Sequence, residues 1–262
     1  MALLRNFLCI FVLIAAAFSA SAQDLRIAAA SDLQFVLPGL AAQYEKQSGQ
    51  KLALTFGSSG NFFAQIQNGA PFDIFFSADA SYPRKLIDAG QAEPGSYSIY
   101  ARGRIVIWVP SQSPLDPATS GWDTLLDSRV AKISIANPEH APYGRAAVSA
   151  LQKAGLYDKI QSKLVMGENI SQAAQFVQSG SAQAGIIAYS LALSSPMKDG
   201  KRWEIPLDSY PPLEQAVVQM KLSPNKSAAA AFLAFLTTDA ASATFARYGF
   251  TRSPTNARQK TP

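Results

Sequence analysis

The sequence is poor in the side chains from which catalytic and metal sites are most often built. Its 262 residues include one cysteine and one histidine, Cys9 and His140. Because Cys9 lies in an N-terminal segment that we expect to be removed, the mature chain can form neither a disulfide nor a thiolate metal site. No H-E-x-x-H, G-x-S-x-G or P-loop pattern is present either. These absences weaken the main enzymatic interpretations.

Charged residues are also scarce, at 16% of the chain, whereas hydrophobic residues make up 48%. This composition is typical of a globular protein, and the length is sufficient for two lobes. The formal net charge is +5, but the basic residues are scattered, with small clusters at residues 102–104 and 198–202. A nucleic-acid partner is therefore not expected, because it would require a basic stripe or patch.

Residues 1–22 have the pattern of a cleaved secretory signal peptide. A basic residue precedes an apolar run over residues 7–18, and an A-x-A cleavage site ends at Ala22, so that the mature chain begins at Gln23. The rival interpretation is a membrane anchor, but the apolar run is short for a span and polar sequence follows at once. The sequence thus predicts a secreted, soluble mature chain.

Residues 52–68 have the pattern of a strand, a turn with two serines, and a helix. Hydrophobic residues alternate in the strand, two glycines bracket Ser58 and Ser59, and a helix is expected from near Asn61 to Asn68. Such a turn directs free N–H groups and the positive end of a helix dipole at one point. It predicts an anion site built of neutral donors, although a serine that only caps a helix gives the same pattern.

Similar junctions recur along the chain. Ser31 follows a predicted strand over Leu25–Ala30, Tyr143 lies in a predicted loop over residues 137–144, and Ile170 lies between a later strand and helix. Alternating strands and helices predict an α/β protein with parallel sheets, and ligands of such sheets bind beyond the carboxyl ends of the strands. Two junctions in each half of the chain therefore predict a binding cleft between two lobes.

The expected lobes divide the chain unevenly. Residues 23–99 with 207–262 form the first predicted lobe, and residues 100–206 form the second. In the second lobe, helices are expected over residues 145–153 and 172–179, each followed by a glycine that suits a helix end.

Six motifs resemble, in their order and spacing, the periplasmic molybdate-binding proteins of ABC transporters. They are AAASDL (28–33), FGSSG (56–60), GAPFDIFFSAD (69–79), PEHAPYG (138–144), GENISQA (167–173) and RYGFT (247–251). The resemblance extends from Leu25 to Thr251. It implies a two-lobed type II periplasmic-binding-protein fold with its ligand in the interlobe cleft. It also implies a periplasmic protein that binds molybdate and tungstate with high affinity and delivers them to an ABC-type membrane permease.

The resemblance further implies a ligand site without charged side chains. Ser31 would donate through its hydroxyl and its backbone N–H, and Ser59 through its hydroxyl. Tyr143 and Ile170 would donate through backbone N–H groups, which leaves the Tyr143 side chain as a wall of the cleft or a contact between lobes. No catalytic residue, no cofactor and no metal held by side chains is implied, because the molybdenum is bound as its oxyanion. A monomer is expected.

Some family members add a tyrosine hydroxyl after the last strand of the second lobe. This chain has Ala188 at that position and Tyr189 one residue later. The backbone N–H of Asp32 is an alternative donor, and Ser58 either holds the turn or adds a contact.

The alternatives to molybdate binding are a receptor for another oxyanion, a hydrolase and a ligand-sensing regulator. A site of donors only would leave the O–H of hydrogen phosphate unpaired, whereas sulfate can be rejected only by its size. A receptor for another tetrahedral oxyanion, such as sulfate or phosphate, is therefore the main alternative. A secreted hydrolase with Ser59 as nucleophile and His140 as base lacks a nucleophile elbow. A ligand-sensing regulator is disfavoured by the signal peptide and by the lack of a helix-turn-helix pattern.

Overall fold

The structure, a computed structural model, describes residues 24–251. The predicted signal peptide lies outside the described residues. Ten strands occur in chain order: β1 (Leu25–Ala30), β2 (Leu52–Gly57), β3 (Ile74–Ser77), β4 (Ser98–Gly103), β5 (Ile105–Val109), β6 (Ile133–Ala136), β7 (Leu164–Gly167), β8 (Ala184–Ala188), β9 (Lys201–Glu204) and β10 (Leu213–Gln219).

The α-helices of the described residues are α1 (Leu37–Ser48), α2 (Ser59–Gln67), α3 (Ser81–Asp88), α4 (Pro117–Ser120), α5 (Pro142–Lys153), α6 (Tyr157–Ile160), α7 (Ile170–Gln178), α8 (Tyr189–Ala192), α9 (Lys226–Phe235) and α10 (Asp239–Arg247). A short 3-10 turn, Ser31–Leu33, follows β1 directly. No single helix within residues 24–251 is long and apolar enough to cross a bilayer. The pair α9 and α10 meets those criteria only when counted together across a 68° bend.

Two five-stranded sheets define two lobes of related topology. The sheet of the first lobe has the order β2-β1-β3-β10-β4, and that of the second lobe has the order β7-β6-β8-β5-β9. The predicted α/β fold is confirmed, but the sheets are mixed rather than wholly parallel. In each, three strands run parallel, and the other two are antiparallel to their neighbours.

The chain leaves the first lobe at a later residue than expected. Residue 100, where the second lobe was expected to begin, lies inside β4, and β4 pairs with β10 of the first sheet. The chain crosses between the sheets at Arg104, and it returns between β9 and β10. The polar and glycine residues of β4 give it little of the apolar pattern that marks a buried strand, so its sequence signal is weak.

Helices cover both faces of the first sheet. On one face, α1, α9 and α10 enclose a core in which the rings of Tyr44 and Phe232 lie 5.0 Å apart. On the other face, α2 and α3 pack around Phe75, which β3 places opposite Phe76 of the first core. Both phenylalanines are fully buried, each with about 1.5–3 kcal/mol of favourable burial. These cores fix the strand ends from which the site is built.

Candidate functional site

The strand–helix junctions predicted from the sequence meet at one small pocket between the lobes. Its volume is about 10 Å³, roughly the space of one water molecule. The pocket is lined by Ala30, Ser31, Asp32, Gly57, Ser58, Ser59, Ala78, Ala141, Pro142, Tyr143 and Ile170. All four residues expected to bind the ligand are in this set, and none is more than 3% exposed.

The first lobe brings two serine hydroxyls to the pocket. Ser59 is the first residue of α2, and its Oγ accepts the backbone N–H of Ala78 at 2.9 Å. Ser31 Oγ accepts the N–H of Ser171, from the second lobe, at 3.3 Å. Neither hydroxyl donates a hydrogen bond within residues 24–251. Each hydroxyl is therefore held through its oxygen and keeps its proton available for a ligand.

The second lobe brings the first turns of two helices to the pocket. Tyr143 follows Pro142 at the start of α5, and Ile170 is the first residue of α7. The N–H groups of a first helical turn have no acceptor within the helix. The Asn169 side chain accepts the N–H groups of Ser171 and Gln172 and so leaves that of Ile170 unused by this cap. The positive ends of two helix dipoles thus face one point.

Three helices begin earlier than the sequence pattern predicted. Helix α2 begins at Ser59 instead of near Asn61, α5 at Pro142 instead of at 145, and α7 at Ile170 instead of at 172. The predicted loop over residues 137–144 is correspondingly shorter. Because of these shifts, three of the expected ligand contacts lie in first helical turns.

Behind the serines, a buried network of polar side chains joins the lobes. Asp32 Oδ2 accepts hydrogen bonds from the Tyr143 hydroxyl at 3.0 Å and from Gln215 Nε2 at 2.5 Å. Gln215 also donates to the Tyr143 oxygen at 2.9 Å, and its Oε1 accepts the Tyr100 hydroxyl at 2.6 Å. The Tyr143 phenol is therefore a contact between lobes, one of the two roles expected for it. Sequence reasoning missed the Asp32 carboxyl, Gln215 and Tyr100.

Burial perturbs the titration of this network. It raises the pKa of Asp32 to about 7, with hydrogen bonds from Gln215 and Tyr143 acting in the opposite direction. It also raises the pKa of Tyr143 and of Tyr100 well above the usual value, so both phenols stay protonated at neutral pH.

No lysine or arginine is among the residues that line the pocket. The nearby Arg145 pairs instead with Asp79 of the first lobe, at 2.6 Å between Nη2 and Oδ2. The pocket therefore presents neutral donors and no basic side chain. Within residues 24–251, no group of three or more His, Cys, Asp or Glu side chains is placed to hold a metal ion.

The sequence left open whether Asp32, Ser58 and Tyr189 contact the ligand, and these three residues lie in different places. Asp32 and Ser58 both line the pocket, and the Ser58 hydroxyl caps α2 by accepting the Asn61 N–H at 3.3 Å. Tyr189 does not line it, since its ring packs under the Arg104 guanidinium at 4.4 Å. The tyrosine contact of some family members therefore has no counterpart in Tyr189.

Ser59 and His140, the nucleophile and base of the hydrolase alternative, are not hydrogen-bonded to each other. His140 Nε2 lies 2.9 Å from the backbone carbonyl oxygen of Glu168, and the Ser59 oxygen accepts a backbone N–H. No hydrogen bond joins Ser59 to His140 in the described part of the chain. His140 is therefore not placed as the base of Ser59 in this geometry.

The lobes approach each other closely above the pocket. The backbone N–H of Gly60, in α2, donates to the carbonyl oxygen of His140 at 2.9 Å. A β-carbon at Gly60 would lie 2.6 Å from that oxygen, so the contact requires glycine. Beside it, Asn61 Nδ2 donates to Glu168 Oε1 at 3.2 Å. The lobes are therefore closed on the candidate site.

Two larger pockets of the described residues have different linings. One of about 360 Å³ lies beside α10, and one of about 350 Å³ lies between the lobes around the Asp79–Arg145 pair. The first has a mostly apolar lining, and the second adjoins the candidate site through Ala78 and Pro142. The small pocket is the place where the strand ends and helix N-termini converge.

Comparison with known proteins gives consistent matches over most of the chain. Residues 25–251 match the profile of a family described as bacterial extracellular solute-binding protein. The chain is 36% identical over 234 residues to a molybdate-binding protein ModA of Rhodobacter capsulatus, covering 89% of this chain and 90% of the relative. It is 38% identical over 239 residues to a protein of the same name from Azotobacter vinelandii, covering 89% and 92%.

The fold also matches solved structures. The Azotobacter vinelandii periplasmic molybdate-binding protein superposes with a TM-score of 0.83 and 33% identity, covering 88% of this chain and 100% of that one. A sulfate-binding protein, SubI of Mycobacterium tuberculosis, gives a TM-score of 0.67 at 17% identity, which shows a shared fold only.

Proposed function

The chain belongs to the bacterial extracellular solute-binding proteins, and we propose that it binds molybdate between its lobes and delivers it to an ABC-type membrane permease. Tungstate, an oxyanion of the same shape and charge, is a second ligand of the same site. The protein acts in the periplasm, after removal of the signal peptide, as a monomer and without catalytic activity. Relatives named for molybdate binding, with about nine-tenths of their length matched, support this assignment.

The observation that carries the proposal is the convergence of neutral donors on one buried pocket. Ser31 and Ser59 contribute hydroxyls, and Tyr143 and Ile170 contribute N–H groups. Hydrogen bonds to a charged acceptor each contribute about 1.5–3 kcal/mol in net terms, so a few of them hold a dianion without a salt bridge. The molybdenum atom itself makes no bond to the protein.

Discrimination among molybdate, hydrogen phosphate and sulfate depends on the acceptors in the pocket and on the size of the anion. The two serine oxygens already accept an N–H each, so the O–H of hydrogen phosphate would have to compete with those N–H groups or turn to the Asp32 carboxyl, which also lines the pocket. Sulfate carries no such proton and has shorter bonds to oxygen than molybdate. Its rejection therefore depends on its smaller size alone.

Binding is coupled to movement of the lobes. The chain passes between them twice, at Arg104 and between β9 and β10, so these two segments are the natural hinge. Each lobe supplies donors, and a ligand therefore favours the closed arrangement over an open one.

Titration calorimetry with molybdate, tungstate, sulfate, phosphate and chromate tests the proposal. Molybdate and tungstate should bind much more tightly than the others, and X-ray scattering should show a more compact protein with molybdate. The double variant Ser31→Ala/Ser59→Ala, with its fold checked by circular dichroism, is the control for binding at this pocket. Equal competition by sulfate would overturn the proposal, and an unchanged scattering profile with ligand bound would exclude closure.

A further inference from the structure

Asp32 places a carboxyl group directly beside the candidate anion site. The residue lines the pocket and is 1% exposed. Its Oδ2 accepts two hydrogen bonds, from Gln215 and Tyr143, whereas its buried Oδ1 has no partner among the described residues. The ionised form is therefore disfavoured twice, because it is desolvated and because it repels a bound dianion.

No cation compensates this charge within residues 24–251. The ionisable side chains that face Asp32 are the phenols of Tyr143 from α5 and of Tyr100 from β4, the latter through Gln215. Helix α7 and strand β2, which also contact the turn of Asp32, carry no ionisable side chain.

The cations on neighbouring elements have other partners. These pairs are Arg102 with Glu214 at 2.8 Å, Arg145 with Asp79 at 2.6 Å, and Arg104 with Glu204 at 2.7 Å. On α8, Tyr189 faces the Arg104 guanidinium. Among the described residues, no unpaired charged side chain therefore faces Asp32, and the bound ligand would be the charge nearest to it.

The second lobe completes the burial of Asp32. Tyr143 reaches the carboxyl from α5, and the Ser190 hydroxyl of α8 donates to the Asp32 backbone carbonyl at 2.8 Å. Both belong to the second lobe, whereas Asp32 and Gln215 belong to the first. Opening of the lobes would break these two contacts and admit water to the carboxyl, and a hydrated aspartate is ionised at neutral pH.

We propose that Asp32 takes up one proton from solvent when the lobes close on the anion, so that molybdate and a proton are bound together. This inference rests on the proposed function, since the ligand drives the closure. The proton goes to Oδ1, because Oδ2 already accepts two hydrogen bonds. Burial in the closed lobes raises the pKa of Asp32 to about 7, and a bound dianion raises it further.

The direction of the pH dependence follows from linkage. The closed, liganded protein binds more protons than the open one between the ordinary pKa of aspartate and the raised one. Molybdate affinity should therefore fall as the pH rises, by up to about tenfold per pH unit, and level off above the raised pKa. The same titration with Asp32→Asn separates this effect from any change in molybdate itself.

Titration calorimetry with sodium molybdate from pH 5.5 to 8 measures this fall in affinity. Repeating the titration at pH 6.5 in two buffers of different ionisation enthalpy gives the number of protons taken up, with about one per molybdate expected. Asp32→Asn keeps an acceptor oxygen for Gln215 and Tyr143 and carries no titrating proton. Its affinity should vary by less than about twofold over the same range.

The matched control is His140→Gln. His140 is the one histidine of the chain, and histidine is the side chain that ordinarily changes charge in this pH range. The pH dependence should persist in this variant, and its disappearance there would overturn the proposal. Equal affinity of the native protein at every pH, without proton uptake, would also overturn it, whether or not Asp32→Asn folds. Failure of molybdate to bind at any pH would instead refute the proposed function.

Discussion

The two lobes supply their donors by different means. In the first lobe, Ser31 and Ser59 offer hydroxyl groups, each fixed by an N–H that its oxygen accepts. In the second lobe, Tyr143 and Ile170 offer N–H groups of the main chain, at the starts of α5 and α7. A hydroxyl is lost in any substitution to a residue without one, whereas an amide N–H is lost only to proline. Binding should therefore be sensitive to side-chain identity in one lobe and tolerant in the other.

The largest loss of molybdate affinity is expected when a backbone N–H of the second lobe is deleted without a change in fold. Ile170→Pro should weaken molybdate binding by about a hundredfold, because it deletes an N–H worth about 1.5–3 kcal/mol and some apolar packing. Ile170 is the first residue of α7, a position where proline is well accommodated. The preceding residue, Asn169, has an extended backbone (φ −143°, ψ 175°), which is the conformation favoured before a proline.

The control for this variant is Ile170→Val, which keeps the N–H and should change the affinity by less than about twofold. Titration calorimetry compares the two variants, and circular dichroism confirms that both are folded. A loss in Ile170→Val as large as that in Ile170→Pro would mean that the side chain, and not the backbone, is recognised.

In the first lobe, Ser59→Ala should weaken molybdate binding by roughly ten- to a hundred-fold, since it deletes one charge-assisted hydrogen bond. Its neighbour provides a matched control, because the Ser58 hydroxyl caps α2 through the Asn61 N–H. Ser58→Ala should cost about 1 kcal/mol of stability and little affinity. Calorimetry and thermal unfolding separate the two effects, and equal affinity losses would contradict the assignment of Ser59.

A smaller effect is expected where the backbones of the two lobes meet. Gly60→Ala should weaken binding by about tenfold, because its β-carbon would lie 2.6 Å from the His140 carbonyl oxygen and the loop must yield. Within α2 itself, alanine is favoured over glycine by about 0.5–1 kcal/mol, so the thermal stability of the first lobe should not fall.

Gly39→Ala is the control for Gly60→Ala, because a β-carbon at Gly39 meets nothing within 4 Å in α1. It should gain helix stability without any change in molybdate affinity. If Gly60→Ala bound molybdate as tightly as the native protein, the lobes could not approach this closely around the ligand.

Much of the fold was predictable because its pattern is local. The bounds of β1 were predicted correctly, and the near-continuous apolar residues of β3 and β5 are typical of strands buried on both faces. The starts of α5 and α7 were predicted too late. Residues of a first helical turn form no hydrogen bond to a preceding turn and need not follow the 3.6-residue period, so periodicity does not reveal them.

The polar network was not predictable in the same way. Gln215 and Asp32 are separated by 183 residues in sequence, and no local pattern connects them. One signal was available, since Gln215 directly precedes the apolar residues 216–218 of β10 and a buried amide has to find partners. Its partners are determined only when β10 takes its place between β3 and β4.

The ion pair between Arg145 and Asp79 has a consequence for the lifetime of the complex. It joins the lobes beside a pocket whose lining is almost fully buried, so a bound anion leaves only after the lobes separate. The dissociation rate is then governed by the opening step and not by the strength of the hydrogen bonds alone. Because both side chains of the pair are partly exposed, salt screens it, and exit of the ligand should become faster as ionic strength rises.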